Sequence, residues 1–433
     1  MSTAKVRPMG DAVAEVRARD TLTIPLGPGQ PTGFLHALDE RESWENLDVL
    51  GALLVDLFAV FTKPNVRYRS GFFGPAERFL LASGADVEFI PADFRRFGPV
   101  AEQRSCRVVA TLAAPPDESG FLSLGLHEGA MFEEFKRAAA DPNRVLVVEI
   151  NPNCPRTLGL PPEYPHGLHV DEVDILVESD RPMFVLADAE PTDVERAIAE
   201  QAGKYVVDGS TLQTGIGGVP SAVAGLLAEG PHGEYGVHSE MFTTGLMKLH
   251  QAGKVTNRRK GCFPDHSIAT FAAGTAELNE WLDGNEDVRF LPASVVNSPE
   301  NIAKNERMVT INGALSIDLF GQIVADTIDG KQYSGIGGHE DFAAASGFQL
   351  EDHSLLCLPS TVTIDGHVMS RILPSLAAGS IVTTPRHQLD VVITEHGATE
   401  VRGCTVKERA AALAEIAHPD FRDHLREQAQ TLA

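Results

Sequence analysis

The chain has 433 residues, 43% of them apolar and 22% charged, enough for two substantial hydrophobic cores. Its formal net charge of -24 argues against a nucleic-acid surface, which needs a basic face. Five scattered cysteines, Cys106, Cys154, Cys262, Cys357 and Cys404, are odd in number and form no CxxC pair, so neither a disulfide framework nor a zinc site is expected.

Along the chain, the opening "MSTAKVRPMGDAVAEVRARD" carries charge throughout and lacks the apolar core of a signal peptide. The greasiest stretch, "VLGALLVDLFAVF", is too short to span a bilayer and contains Asp56. A soluble, cytoplasmic protein is the expectation. Residues 21–38, "TLTIPLGPGQPTGFLHAL", form a β-prone run, a glycine turn with proline and an apolar-periodic helix. Residues 211–227, "TLQTGIGGVPSAVAGLL", repeat that order, with Gly27 and Gly29 matching Gly215 and Gly217 at one constant offset. Duplication and a chance likeness between two ordinary strand–turn–helix units both account for this.

The His pair in "HGLH" (166–169) and the lone His238 and His396 lack metal-ligand spacing and read as loop or packing residues. "VDILVESDRPMFVLAD" (173–188) reads as a strand-rich end to a first half. "PTDVERAIAEQAG" then opens a helix with Thr192 and Glu195 spaced as a capping box and Gly203 as its stop. These signals divide the chain into residues 1–190 and 191–433. Each half alternates β-prone and helical stretches, which predicts α/β architecture: two tandem open α/β domains, with a ligand cleft where they face one another.

The turn "TGIGGVPSAV" (214–223) permits close backbone approach to a ligand, ahead of a helix start that presents N–H groups. It also resembles a dinucleotide fingerprint, with Glu240 near the position of a ribose clamp. Pro220, however, fills the slot where a third glycine lets helix and strand pack closely. Glu240 itself, in "GVHSEMFTTGLM", allows three readings: a helix-end charge, a ribose clamp or a nucleophile. The cluster "KVTNRRKGC" (254–262) reads by default as solvated charge, with approach to an anionic substrate as the functional alternative. Asn312 follows the β-prone "MVTI" and suits either a turn or an oxyanion donor. A second glycine turn, "YSGIGGHEDF", sets Gly335, Gly337 and Gly338 ahead of His339, Glu340 and Asp341. It reads as an oxyanion loop, or as an ordinary turn with acidic residues at the next helix start.

Taken together, the chain resembles the acetyl-CoA hydrolase/transferase family, particularly its 4-hydroxybutyrate CoA-transferase-like branch. The resemblance rests on "NPNCPRTLG", "VDILVESDRP", "DGSTLQTGIGGVPSAV", "GVHSEMFTTGLM", "INGALSIDLFGQI", "SGIGGHEDF", "SRILPSLAAGSIVTTPRHQLDVVITEHG" and "VRGCTVKERAAALAEIAHPDF", in that order along almost the whole chain. It implies Glu240 as the catalytic glutamate. It further implies Gly215, Ile216, Gly217, Gly218, Val219, Pro220 and Ser221 as a CoA-contacting, oxyanion-forming segment. Asn312, Gly335, Gly337 and Gly338 match positions that hold the thioester carbonyl, and His339 and Glu395 are candidate substrate-site residues. His339, His396 and Gly313 depart from residues frequent in the family.

The resemblance implies transfer of CoA between a short-chain acyl-CoA and a carboxylate through a glutamyl-CoA thioester. No metal, flavin or nicotinamide is required, and a homodimer is expected. An acyl-CoA hydrolase, a non-catalytic CoA-binding protein and a nicotinamide oxidoreductase are the alternatives.

Overall fold

The computed structural model describes residues 6–432. Residues 1–5 of the charged opening stretch, and Ala433, lie outside it. The described chain packs as two compact units. One runs up to Leu186 and takes in Ile268–Val296; the other comprises Ala187–Ser267 and the chain from Asn297 onward. The return of 268–296 to the first unit has a backbone cause. Thr270 O accepts from Glu128 and Gly129, Ala272 N–H donates to Leu126 O, and Phe290 N–H donates to Leu158 O.

The first unit is built on a seven-stranded parallel sheet. Its strands are β1 (Arg19–Leu26), β2 (Asn46–Ala52), β3 (Val66–Ser70), β4 (Asp86–Phe89), β5 (Val108–Ala113), β6 (Val145–Ile150) and β7 (Ile175–Glu178), in the order β4-β3-β2-β1-β5-β6-β7. β1 occupies the switch point: Leu22 pairs with Val49 of β2 on one side and Val108 of β5 on the other. "VVATLA" in β5 is buried at every position, as a parallel strand covered on both faces requires. Leu22, Val49, Phe34, Phe58 and Tyr68 lie in its core. The expected strand-rich run at 173–188 is shorter than its sequence implies, because pairing stops at Glu178. Beyond it, Arg181 O instead accepts from the Asn151 and Asn153 side-chain amides.

The second unit holds a six-stranded sheet of β8 (Thr211–Thr214), β9 (Gly236–Val237), β10 (Met308–Gly313), β11 (His353–Cys357), β12 (Val391–Thr394) and β13 (Gly397–Glu400), in the order β9-β8-β10-β11-β12-β13. The first five are parallel and β13 closes the edge as an antiparallel hairpin. Its core includes Leu356, Val392, Ile317 and Leu413. The capping box forms as its spacing implies: Thr192 N–H donates to Glu195 Oε2 at 2.8 Å and Glu195 N–H to Thr192 Oγ1 at 3.3 Å, opening helix Asp193–Gly203. β1 and β8 hold equivalent topological places, each flanked by the next strand on one side and a later one on the other. The sequence repeat therefore coincides with a structural one. No described helix is long and apolar enough to cross a membrane.

Candidate active site

In open parallel sheets, ligands bind beyond the carboxyl ends of strands where the strand order reverses. In the second unit that reversal lies between β8 and β10, whose Thr214 and Ile311 pair in register. The Gly215–Ser221 turn leaves β8 at this point, Asn312 is the penultimate residue of β10, and Glu240 follows β9 on the far side of β8.

The turn is shaped by Gly217, whose φ of +116° suits glycine alone and which caps helix α1 (Gly218–Glu229). Gly218 is needed for space: a Cβ there would stand 2.1 Å from Glu195 Oε1. Ile216 is 53% exposed at the tip. The first intrahelical bond runs from Ser221 N–H to Gly217 O, so Gly218 and Val219 present first-turn N–H groups, while Pro220 has none to leave unsatisfied. The Ser221 side chain is engaged elsewhere, donating to Asp188 Oδ1 at 2.8 Å; Lys248 Nζ holds the other Asp188 oxygen at 2.6 Å.

Glu240 lies between β9 and the two-residue strand Met241–Phe242, and its segment is latched to β8. His238 N–H donates to Leu212 O at 3.1 Å, and Ser239 Oγ accepts from Thr214 N–H at 3.4 Å. The next helix, α2 (Thr244–Gln251), is capped by Thr243, whose hydroxyl accepts from Leu246 N–H. A helix-end role for Glu240 is thereby replaced by another residue.

The Glu240 carboxylate instead faces an amide and a glycine. Asn297 Nδ2 donates to Oε2 at 2.6 Å, and the same nitrogen donates to Asp341 Oδ2 at 3.0 Å. A Cβ on Gly338 would stand 2.0 Å from Oε2, so only glycine allows this approach. Loss of water around the carboxylate raises the Glu240 pKa to about 7. The Asn297 and Gly338 hydrogen bonds pull the value down, and the Asp341 charge pushes it up.

Asn312 pairs with Gln213 of β8: its Nδ2 donates to Gln213 Oε1 at 3.2 Å, joining the two strand ends. Gly337 turns the second glycine loop with φ +54°, and Gly335 opens that loop. His339 begins helix α3 (His339–Ala345), and its Nε2 lies 3.0 Å from Thr384 Oγ1. That hydroxyl donates its proton to Glu340 Oε1, so the imidazole is the donor to Thr384. Burial lowers the His339 pKa to about 4, which keeps the ring neutral. Glu395, past β12, accepts from Ser360 N–H at 2.8 Å and from its hydroxyl, clamping the turn after β11. The fold thus brings Gly338 against Glu240 and sets Asn312 and the first glycine turn on adjoining strand ends. Ser221, His339 and Glu395 are bonded to partners of their own.

The basic cluster at 254–262 is not a uniformly solvated face. Lys260 is buried and donates to Val237 O at 2.8 Å and His266 O at 2.6 Å, with burial lowering its pKa to about 7. Lys254 donates to Gly230 O at 2.6 Å, and Arg259 packs against Gly209. Asn297 and Gln213 carry no site signal in the sequence, and Asp341 reads there only as an acid beside the second glycine turn. Asn297 sits in "VVNSPEN" before a Ser-Pro helix start, and Asp341 has the position of an ordinary helix-start acid. Gln213 is an amide inside a buried β-prone run.

The acetyl-CoA hydrolase/transferase C-terminal domain family matches residues 274–429. The chain is 34% identical over 435 residues to the succinyl-CoA:cyclohexane-1-carboxylate CoA transferase of Geobacter metallireducens, covering 98% of this chain and 94% of that one. It is 32% identical over 424 residues to the 4-hydroxybutyrate coenzyme A transferase of Clostridium kluyveri, covering 96% and 94%. Among solved structures, RipA from Yersinia pestis superposes with a TM-score of 0.88 at 28% identity, covering 99% of this chain and 97% of that one. The chain belongs to the acetyl-CoA hydrolase/transferase family, has its two-domain α/β fold, and is an enzyme of the CoA-transferase class.

Proposed function

We propose that this enzyme moves CoA between a short-chain acyl-CoA and a free carboxylate through a thioester on Glu240. The observation that carries the reading is the environment of that carboxylate, held by the Asn297 amide at 2.6 Å and pushed toward a pKa of about 7. A carboxylate in bulk water is well solvated and weakly basic. Stripped of water and fixed in place, it is a more competent nucleophile.

In this mechanism Glu240 attacks the thioester carbonyl, the C–S bond breaks, and CoA leaves as thiolate. The product is a mixed acyl–glutamyl anhydride. The thiolate then attacks the glutamyl carbonyl, releasing the first carboxylate and leaving glutamyl-CoA. An incoming carboxylate reverses both steps and departs as a new acyl-CoA. Each addition places negative charge on oxygen. Backbone N–H groups at Gly215–Ser221 and Gly335–Gly338, and the Asn312 amide, are the donors assigned to it, each worth about 2.7–4 kcal/mol in such sites. Because the acceptor is itself a carboxylate, the thioester energy is passed on. The reading needs no metal, flavin or nicotinamide, and carries a cytoplasmic homodimer as its expected setting, which sedimentation of the purified protein tests for assembly.

The deciding assay is release of free thiol from acetyl-CoA or butyryl-CoA with and without a second carboxylate. A transferase forms new acyl-CoA only with acceptor present; steady thiol release without acceptor identifies a hydrolase and overturns the transfer reading.

A further inference from the structure

We propose that Asp341 is a positioning residue for the nucleophile, acting by fixing which way round the Asn297 amide stands against Glu240; the inference rests on Glu240 being the nucleophile. Asn297 is fully buried, and its Nδ2 spends its two hydrogens on two carboxylates, Glu240 Oε2 at 2.6 Å and Asp341 Oδ2 at 3.0 Å. Its Oδ1 has no hydrogen-bond partner among the described residues. The amide sense is thus set from the Nδ2 side. A half-turn about its last side-chain bond would place Oδ1 against both carboxylates, exchanging two charge-assisted bonds for two repulsive contacts. With one carboxylate removed, that discrimination is roughly halved.

Asp341 has a second effect through its charge. It is fully buried on α3, the helix that follows Gly338, so its charge acts on Glu240 with little water between them. A neighbouring negative charge disfavours ionisation and keeps the nucleophile more basic. The other ionisable groups on the surrounding segments do not substitute for it. His339 is neutral, Glu340 accepts from Thr384, His238 faces Asn305 and Cys262, and Lys260 is turned to the Val237 and His266 carbonyls.

The test is single-turnover release of free carboxylate from labelled acyl-CoA without acceptor, the half-reaction that leaves glutamyl-CoA, measured across pH for the wild type, Asp341→Asn and Asp341→Ala. Both variants are expected to move the acid midpoint down by about one pH unit. The plateau rate is expected to fall roughly tenfold in Asp341→Asn and further in Asp341→Ala, with KM for acyl-CoA within about threefold of wild type. An unmoved or raised midpoint, or a loss expressed in KM alone, overturns the inference. Melting curves accompany each variant, and one that fails to fold is replaced by Asp341→Ser, which carries the same expectations. Hydroxylamine trapping at Glu240 of the wild type is run alongside. If no adduct forms there, the nucleophile reading has failed; if it forms and the variants behave as wild type, only the role of Asp341 has.

Discussion

Replacing Gly338 with alanine should disable the enzyme while leaving both units folded. The added Cβ would lie 2.0 Å from Glu240 Oε2 and 2.3 Å from Asn297 Nδ2, where ordinary contact begins near 3.4 Å. Relief therefore demands that the carboxylate, the amide or the glycine loop retreat by about 1.4 Å, and misplacement on that scale costs on the order of 10²-fold in rate. Part of the strain also appears as overpacking, typically about 1–3 kcal/mol of stability. Steady-state transfer from acyl-CoA to acetate, with a urea unfolding curve on the same preparation, reads both quantities. A Gly338→Ala protein with kcat within threefold of wild type would refute the claim that this approach positions the nucleophile.

Four further expectations follow from individual groups. Since Glu240 must be ionised to attack, log(kcat/KM) should fall with unit slope as pH drops below about 7, the value to which burial raises its pKa; a flat profile down to pH 5.5 contradicts this. The same shift bears on stability: the folded chain keeps a proton that the unfolded chain releases between pH 4.5 and about 7, so this group's contribution declines as pH rises through that window. Glu240→Gln, although inactive, should therefore exceed wild type in unfolding free energy most clearly at pH 8. Lys260 has the opposite sense: its folded pKa of about 7 lies below the ordinary 10.5, so its contribution rises with pH across that interval, and Lys260→Met should flatten the pH dependence of the unfolding midpoint there. Glu395→Ala, by orphaning the Ser360 N–H and hydroxyl, should lower stability by about 1–3 kcal/mol in urea unfolding and lose less turnover than Gly338→Ala.

The α/β architecture was legible because alternation, glycine turns and capping chemistry are local. Thr192 and Glu195 close their box as spaced, and the repeat at 21–38 and 211–227 proves to be the two switch-point strands with their helices. The excursion of 268–296 into the first unit was not legible, because it depends on backbone bonds to Leu126, Glu128 and Leu158, more than a hundred residues earlier. The same limit applies around Glu240. A sequence marks a carboxylate between two glycine turns, but not the partners that reach it across long separations. Asn297 is 57 residues away and looks like a helix-start neighbour, and Asp341 looks like a cap acid. Lys260 reads as surface charge because its two carbonyl partners belong to the backbone, which residue type does not reveal.

The central claim is that the Glu240 carboxylate becomes covalently joined to CoA as a thioester. Incubation with acyl-CoA alone, followed by hydroxylamine or borohydride and peptide mapping, tests it directly. The account predicts a single modified peptide spanning residues 236–247, altered at Glu240 and absent from Glu240→Ala, which retains CoA binding. An unmodified Glu240 in an enzyme that still transfers CoA would contradict it.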